Sequence, residues 1–151
     1  MRASPEIREL ARAELELLLV LYAHLHPDDD PLPPRASLEQ IWSELVDDPR
    51  QIYVGCFVGG TLASSCNAAI IPNLTRGARP YAVIENVVTH PDFRRQGLAS
   101  ATLEHLLAKC WKHDCYKIML QSAAGRDTAH RLYEKLGFDP DAKQAFVLKR
   151  N

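Results

Sequence analysis

Apolar positions recur along the chain with two different periods, which predict alternating helices and strands. A spacing of three to four residues indicates helices in four places. The first runs up to about Leu25, and Ser37 is expected to cap the second, whose apolar face holds Leu38, Ile41, Trp42 and Leu45. The third follows Gly97 and ends near His113, with Trp111 widening its apolar stripe. The fourth begins near Asp127 or Thr128 and stops at Gly137.

Between these helices, apolar and alternating runs predict strands. The clearest pair, Gln51–Val58 and Thr61–Ile71, flanks the two-residue turn Gly59-Gly60 and predicts a long antiparallel hairpin. Further strands are expected at residues 6–10, 81–89, 117–122 and 143–149. Strands alternating with helices after a leading hairpin indicate an α/β protein with a mixed, mostly antiparallel sheet and helices on both of its faces.

Composition limits the classes of function that need to be considered. The 151 residues fit one domain, 1–151. A net charge of −1 lacks the excess positive charge that indicates binding to nucleic acid or to an anionic membrane. No secretory signal and no membrane-length apolar run is found, so a cytoplasmic location is expected. The chain has four cysteines, Cys56, Cys66, Cys110 and Cys115. They contain no C-x-x-C pair, which favours reduced thiols over a disulfide framework or a zinc site. No bound metal is expected.

The segment joining the strand 81–89 to the third helix carries candidate chemistry. The first N–H groups of a helix lack partners within the helix and lie at the positive end of its dipole, so they can hold an anion. Gly97 lets the backbone approach such an anion closely, and Arg94 and Arg95 add positive charge. The alternative is an ordinary strand–turn–helix with surface arginines.

Two motifs resolve this choice through a resemblance. Arg94-x-x-Gly97-x-Ala99 resembles the acyl-CoA pyrophosphate loop of the GNAT N-acetyltransferases. Ala129-His130-Arg131-Leu132-Tyr133-Glu134-Lys135-Leu136-Gly137-Phe138 looks like the helix of that family that ends in Tyr-Glu-Lys-Leu-Gly-Phe. The two blocks stand in the family's order and separation, and the resemblance extends from about residue 51 to residue 138. It implies the GNAT fold and an N-acetyltransferase that uses acetyl-CoA as cosubstrate.

The resemblance also assigns residues to acetyl-CoA. It implies that the backbone of Val87, Val88 and Thr89 bonds the pantetheine arm, in a gap between two neighbouring strands that splay apart. The residues implied around the pyrophosphate are Arg94, Arg95, Gln96, Gly97, Leu98, Ala99 and Ser100. One position departs from the family, because Arg126 stands where an Asn often bonds the pantetheine arm. Arg126 is therefore expected to contact a CoA phosphate instead, or to make no equivalent contact.

Two side chains are candidates for proton transfer. Glu85 shares a strand face with apolar residues, where burial would disfavour a carboxylate that has no partner or task, so it is the candidate general base. The same position carries the proposed base in several GNAT subfamilies, including spermidine/spermine acetyltransferases. The alternative is a structural carboxylate bonded to a nearby loop or to Asn86. Tyr133 is implied as the acid that protonates the CoA thiolate, although it lies on an apolar stripe where a core role is the alternative.

The acceptor is left open by the sequence. The first two helices and the Pro-rich segment between them are expected to shape its pocket, where Asp28, Asp29 and Asp30 could attract an amine or simply form a solvated loop. Short stretches resemble glucosamine-6-phosphate and aminoalkylphosphonate N-acetyltransferases. The expected partner is a small-molecule primary amine, with a protein amine or a catalytically silent acyl-CoA-binding module as alternatives. A homodimer is consistent with the family, whose members often pair through sheet edges or the C-terminal strand.

Overall fold

In the computed structural model, which describes residues 3–151, five strands form one sheet whose spatial order is the order of the chain. The strands are β1 (Glu6–Glu9), β2 (Gln51–Val58), β3 (Thr61–Ile71), β4 (Tyr81–Thr89) and β5 (Ile118–Leu120). β1 through β4 pair antiparallel. The turn between β2 and β3 places Gly59 and Gly60 at φ of 56° and 81°, in the left-handed region that glycine adopts readily. The predicted hairpin is therefore confirmed.

Four α-helices connect or follow these strands: α1 (Leu15–Tyr22), α2 (Arg35–Asp47), α3 (Leu98–Lys112) and α4 (Asp127–Lys135). The chain divides into two compact units, one that ends at Met119 and one that comprises Leu120–Asn151. The first contains α1, α2, α3 and most of the sheet. The second contains α4 and the C-terminal residues, which form neither helix nor strand.

Helices cover both faces of the sheet in the first unit. Side chains of residues directly opposite each other on neighbouring strands lie on the same face. Leu62 and Phe57 belong to an apolar cluster with Leu18 and Trp42, from α1 and α2. Ala63, the next residue of β3, instead packs with Leu98 of α3. One face therefore meets α1 and α2 and the other meets α3, as the predicted fold class requires.

Several local predictions are wrong. Ser37 does not cap α2, because the helix begins at Arg35 after Pro34 and Ser37 lies within its first turn. Arg35 is held at that start by ion pairs with Glu16 and Glu39. Two residues placed on apolar helix faces are largely exposed, Ile41 at 51% and Trp111 at 54%.

The predicted final strand at residues 143–149 is also wrong. Residues 142–151 form neither helix nor strand, and Phe146, Val147 and Leu148 are exposed at 85%, 65% and 100%. A strand requires a neighbour to pair its backbone groups, and alternation in sequence cannot supply one. The segment has strand-like residues without a partner strand within residues 3–151.

Candidate active site

The segment between β4 and α3 is folded tightly at its start. Pro91–Phe93 form one turn of 3₁₀ helix, and the His90 Nδ1 accepts a hydrogen bond from the Asp92 N–H at 3.1 Å. The His90 N–H donates to the Ala63 carbonyl at 2.8 Å, which fastens the turn to β3. These contacts fix the point at which the chain leaves the sheet. The loop that follows is therefore held in a defined direction.

That loop presents an open helix N-terminus to solvent. Residues 94–97 are exposed, and Gly97 is the N-cap of α3 at φ 74° with no side chain capping the helix. Arg95 also adopts positive φ, at 61°. A Cβ added to Gly97 would meet nothing within 4 Å, so the space beside these N–H groups is open. The geometry has the features that an anion site at a helix start needs.

The other residues predicted to surround a pyrophosphate differ in what they can offer. The Leu98 side chain is buried in the core with Cys56 and Ala63, so only its backbone can face an anion. Ala99 and Ser100 are half-buried and Gln96 is exposed. The Arg94 Nε donates to the Thr89 carbonyl at 3.4 Å, which ties this arginine to the end of β4.

The outer edge of β4 is mostly unpaired with β5. β4 has nine residues and β5 has three, so β5 can pair with only part of β4. The junction lies at the start of β4, where the Ala82 N–H donates to the Lys117 carbonyl at 3.1 Å. The neighbouring Tyr116 N–H donates to the Pro80 carbonyl at 2.9 Å. The far end of β4, with Val87, Val88 and Thr89, thus offers an edge that an extended group can join.

Glu85 lies on the face covered by α1 and α2. It is opposite Asn67 of β3, which is itself opposite Tyr53 of β2, a residue packed with Trp42 of α2. The expectation that Glu85 is buried is wrong, because its side chain is exposed. Within residues 3–151 its carboxylate has neither a hydrogen bond nor an ion pair, and the bond to Asn86 considered above is absent. A base role for Glu85 stays a prediction, and burial of its carboxylate no longer supports that prediction.

A bulge immediately follows Glu85. The register passes from Asn67 opposite Glu85 to Ser65 opposite Val88, so Asn86 and Val87 together oppose Cys66. Asn86 adopts φ 53°, and its side-chain N–H donates to the Asn67 Oδ1 at 3.1 Å. The bulge interrupts the two-residue alternation of β4, so Val87 does not return to the face of Glu85 as it would in a regular strand. Bulges are frequent beside active sites because they redirect a side chain.

The start of the loop also contacts the segment after α1. The rings of His24 and His90 meet edge to face, with centroids 4.6 Å apart. Residues 23–34, which carry Asp28, Asp29 and Asp30, are irregular and mostly exposed. The sequence does not indicate this contact, because the two histidines lie 66 positions apart in the numbering.

In the second unit, the end of α4 fixes Tyr133. The Phe138 N–H donates to the Tyr133 carbonyl and the Gly137 N–H donates to the Glu134 carbonyl, both at 3.0 Å. This pair of bonds, with Gly137 at φ 99°, is a Schellman motif. The Tyr133 ring is buried and contacts the Phe138 ring. The Tyr-Glu-Lys-Leu-Gly-Phe motif therefore has a local structural reason, which is to close α4 and hold the tyrosine.

Two further residues of this unit, the predicted CoA contact Arg126 and the motif residue His130, lie in or near the first turn of α4. Arg126 is its N-cap residue and is exposed, so its guanidinium is available to a ligand. The His130 ring is 2.9 Å from the Ala123 carbonyl, which ties the helix to the turn before it. His130 thus has a structural contact.

The four cysteines are buried free thiols, as predicted. Burial raises the pKa of each, and that of Cys110 reaches about 12. A raised pKa keeps a thiol protonated and unreactive, which disfavours a nucleophilic cysteine. Among residues 3–151, no group of His, Cys, Asp or Glu is arranged to hold a metal ion. None of the helices in that range is long and apolar enough to cross a membrane.

Comparisons with known proteins identify the family and support the fold. The chain is 31% identical to the glucosamine 6-phosphate N-acetyltransferase of Trypanosoma brucei brucei over 144 residues, 92% of each protein. It is 40% identical to the ribosomal protein bS18-alanine N-acetyltransferase of Escherichia coli K12 over 58 residues, which are 38% of this chain and 39% of that protein. A solved structure from Agrobacterium tumefaciens str. C58, assigned as an acetyltransferase, matches with a TM-score of 0.88 and 30% identity over 96% of this chain and 99% of that one. The acetyltransferase (GNAT) family model matches residues 7–138, and the chain is a member of the GNAT family of N-acetyltransferases.

Proposed function

We propose that this GNAT enzyme transfers the acetyl group of acetyl-CoA to the primary amine of a small molecule by direct attack. One observation carries the proposal. The single strand β4 places a carboxylate, Glu85, on the face covered by α1 and α2, and then leads along an open edge into the N-terminus of α3. An amine and a CoA thioester can thus meet on one strand. We take residues 1–151 as one catalytic domain that acts in the cytoplasm.

The open start of α3 is the proposed site for the CoA pyrophosphate. Backbone N–H groups from Gln96 to Ser100 would donate to its oxygens, and Arg94 and Arg95 would add charge. Val87, Val88 and Thr89 would bond the pantetheine arm by pairing with it as a strand does. Arg126 of the second unit is proposed to contact a CoA phosphate.

The reaction needs two proton transfers. As the amine nitrogen forms its bond to the acetyl carbon, the C–S bond breaks, and the amine must lose a proton while the sulfur must gain one. We propose that Glu85 accepts the first proton and Tyr133 donates the second. Because Glu85 is exposed, it can take the proton directly or through one water molecule.

Glucosamine 6-phosphate is the first acceptor to test, because the trypanosomal relative that bears this activity matches 92% of the chain. A protein N-terminal amine is the second candidate, because of the closer but shorter match to the bS18-alanine acetyltransferase. A homodimer, which sedimentation would detect, belongs to the same proposal. A silent acyl-CoA-binding module is the alternative that activity measurements address.

Thermal melting with and without acetyl-CoA, followed by thiol release over amine classes, tests the proposal. Acetyl-CoA at about 100 times its dissociation constant should stabilise the fold by about 2.7 kcal/mol. The acceptors are glucosamine 6-phosphate, glucosamine, spermidine, an aminoalkylphosphonate and a peptide with N-terminal alanine. Thiol release that depends on a small amine supports the proposal, and release only with the peptide would favour the second candidate. Stabilisation without release from any acceptor would favour the silent module.

A further inference from the structure

Two asparagine side chains join β3 to β4 at the bulge. The Asn86 Nδ2 donates to the Asn67 Oδ1 at 3.1 Å. Asn67 is directly opposite Glu85, so its side chain lies on the same face of the sheet as the candidate base. In a regular strand the residue after Glu85 would point to the opposite face. Because Asn86 bonds to the Asn67 amide instead, Glu85 and Asn86 both extend from β4 on the face covered by α1 and α2.

The bond spans the part of β4 that the sheet itself restrains least. Asn86 and Val87 together oppose Cys66, and the extra residue at a bulge is left out of the regular backbone pairing. Asn86 also adopts φ 53°, a left-handed conformation that asparagine tolerates better than most residues but that only glycine adopts freely. A side-chain bond to the neighbouring strand therefore restrains a conformation that backbone pairing does not.

Asn67 is a polar residue at a buried position. It is 7% exposed, and it lies in a row across three strands, between Tyr53 of β2 and Glu85 of β4. On the β2 side of this row, the Tyr53 ring packs against Trp42 of α2. Burying an amide costs free energy unless the amide is hydrogen-bonded, and a buried environment strengthens the bond that it makes. The bond to Asn86 thus gives a reason for a polar side chain at this position.

The bulge also separates the two halves of the proposed site. Glu85, the proposed base, precedes it, and the edge proposed for the pantetheine arm, residues 87–89, follows it. The conformation of Asn86 therefore sets the direction in which the base leaves the strand relative to the thioester. Misplacement of a reacting group by about 1 Å can lower a rate about 10²-fold.

We propose that Asn67 is a positioning residue for acetyl transfer, which holds Asn86 and with it the bulge that directs Glu85 toward the acceptor amine. The inference rests on the proposed base role of Glu85. Asn67 itself touches neither the amine nor the thioester in this mechanism. Its removal therefore acts on the rate through the base and leaves the anion site at the start of α3 intact.

The test compares Asn67→Ala and Asn86→Ala, singly and together, in thiol release from acetyl-CoA with the fastest small amine. We expect Asn67→Ala to lower kcat/KM for the amine about tenfold, because the base is misplaced, and to leave the KM for acetyl-CoA unchanged. Asn86→Ala removes the same bond and also places an alanine at φ 53°, so it should lose at least as much. The double variant should be no slower than Asn86→Ala alone, because the bond is already absent.

Ser65→Ala is the matched control. Ser65 is a buried residue of the same strand, and its Oγ donates to the Val54 carbonyl of β2 at 2.8 Å, on the side of β3 away from the bulge. The variant therefore removes a buried hydrogen bond of β3 without touching Asn86. It should keep its rate and pH profile whatever its effect on the melting temperature.

Two further variants separate positioning from a general loss of structure. If Asn67 acts through Glu85, Asn67→Ala combined with Glu85→Gln is no slower than Glu85→Gln alone, and the loss in Asn67→Ala shrinks at high pH as it does in Glu85→Gln. A merely structural role would lower the melting temperature without changing the pH profile. Asn86→Gly permits φ 53° without the amide, which keeps the inference testable if an alanine variant folds poorly. It should lose less rate than Asn86→Ala.

Two outcomes overturn the inference, and they differ from failure of the proposed function. An unchanged rate in Asn67→Ala would overturn it, as would a loss in that variant that multiplies in full with the loss in Asn86→Ala or in Glu85→Gln. Either result leaves the base role of Glu85 intact if Glu85→Gln itself shows a loss that shrinks at high pH. A rate in Glu85→Gln that is unchanged, or reduced equally at every pH, would instead contradict the proposed function, and the positioning role would fall with it.

Discussion

The ring of Tyr133 lies 6.2 Å from the ring of Phe138, centroid to centroid and inclined at 72°, while the Phe138 N–H donates to the Tyr133 carbonyl at 3.0 Å. Phe138 thus restrains both the backbone and the side chain of Tyr133. The contact exists because Gly137 turns the chain back over the end of α4. A tyrosine proposed to deliver a proton benefits from such a fixed orientation.

Replacing the Tyr133 hydroxyl tests its role directly. Tyr133→Phe keeps the ring contact with Phe138, so we expect the fold to survive and kcat to fall about 10²-fold or more if the hydroxyl is the acid. Steady-state thiol release across pH measures this. Tyr116→Phe, a half-buried tyrosine of the first unit, is the control and should keep its rate. Undiminished turnover of Tyr133→Phe at every pH would eliminate it as the acid.

Gly137→Ala should destabilise the protein by about 1–2 kcal/mol. A Cβ at this position would meet nothing within 4 Å, so the cost comes from placing an L-residue at φ 99° and not from a clash. Gly125→Ala is the matched control, because it also meets open space but lacks the positive φ. Chemical unfolding of both variants checks the difference. Equal stabilities would show that the Schellman geometry is not what holds the end of α4.

Gly97→Ala should weaken acetyl-CoA binding several-fold in addition to costing about 1 kcal/mol of stability. The added Cβ projects into the open space beside the N–H groups of α3 while φ 74° is strained for alanine. Gly60→Ala carries the same backbone strain, at φ 81°, in the turn between β2 and β3. It should lose stability and keep its affinity. Calorimetric titration with acetyl-CoA distinguishes them, and equal affinities in the two variants would remove Gly97 from the binding site.

Acid should weaken one particular ion pair. The hydrogen bonds of Arg8 to Glu14, at 2.7 and 3.0 Å, lower the pKa of that carboxyl below its ordinary value. A lowered pKa in the folded state stabilises the protein above the unfolded pKa, about 4.3, and that stability is lost as the pH falls through the folded pKa. Glu14→Gln should therefore cost about 1 kcal/mol at pH 7 and nothing near pH 2. The more exposed Glu16→Gln is the control and should cost less at pH 7.

A rise in pH should lower the stability of the fold through the ionisation of the buried thiols. Burial raises the pKa of Cys110 to about 12 and that of Cys66 further, so these groups favour the fold below the unfolded pKa of about 8.5, and this contribution is lost as the pH rises above it. At pH 8 a thiol whose pKa is raised in this way stays protonated and therefore unreactive. We expect a disulfide reagent to label no cysteine of the folded protein within minutes and all four in denaturant. Fast labelling of the folded protein would contradict the burial of these thiols.

Much of the fold could be predicted because its signals are local. The Gly59-Gly60 turn and the runs on either side fix β2 and β3, and the bounds of β4 follow from its apolar residues and the proline after it. The predicted glycine stop of α4 is confirmed at Gly137 for the same reason. The pyrophosphate motif coincides with the open start of α3, because that feature depends on a short stretch of chain.

What could not be predicted depends on distant partners. The exposure of Glu85 could not be read from the alternation of β4, because alternation indicates the face on which a residue lies and not how far the helices on that face cover it. Asn86 reveals the bulge only through its φ and its register with β3. The contact between His24 and His90 was missed for the same reason.

The short fifth strand has a practical consequence for handling the protein. An open strand edge is a template on which another chain can add, and self-association through such edges leads to aggregates. The end of β4 that is proposed to pair with the pantetheine arm is therefore also an edge at which a strand of another molecule can pair in the ligand-free enzyme. Acetyl-CoA should act as a storage additive as well as a substrate, and concentrated samples should remain clear for longer when it is present.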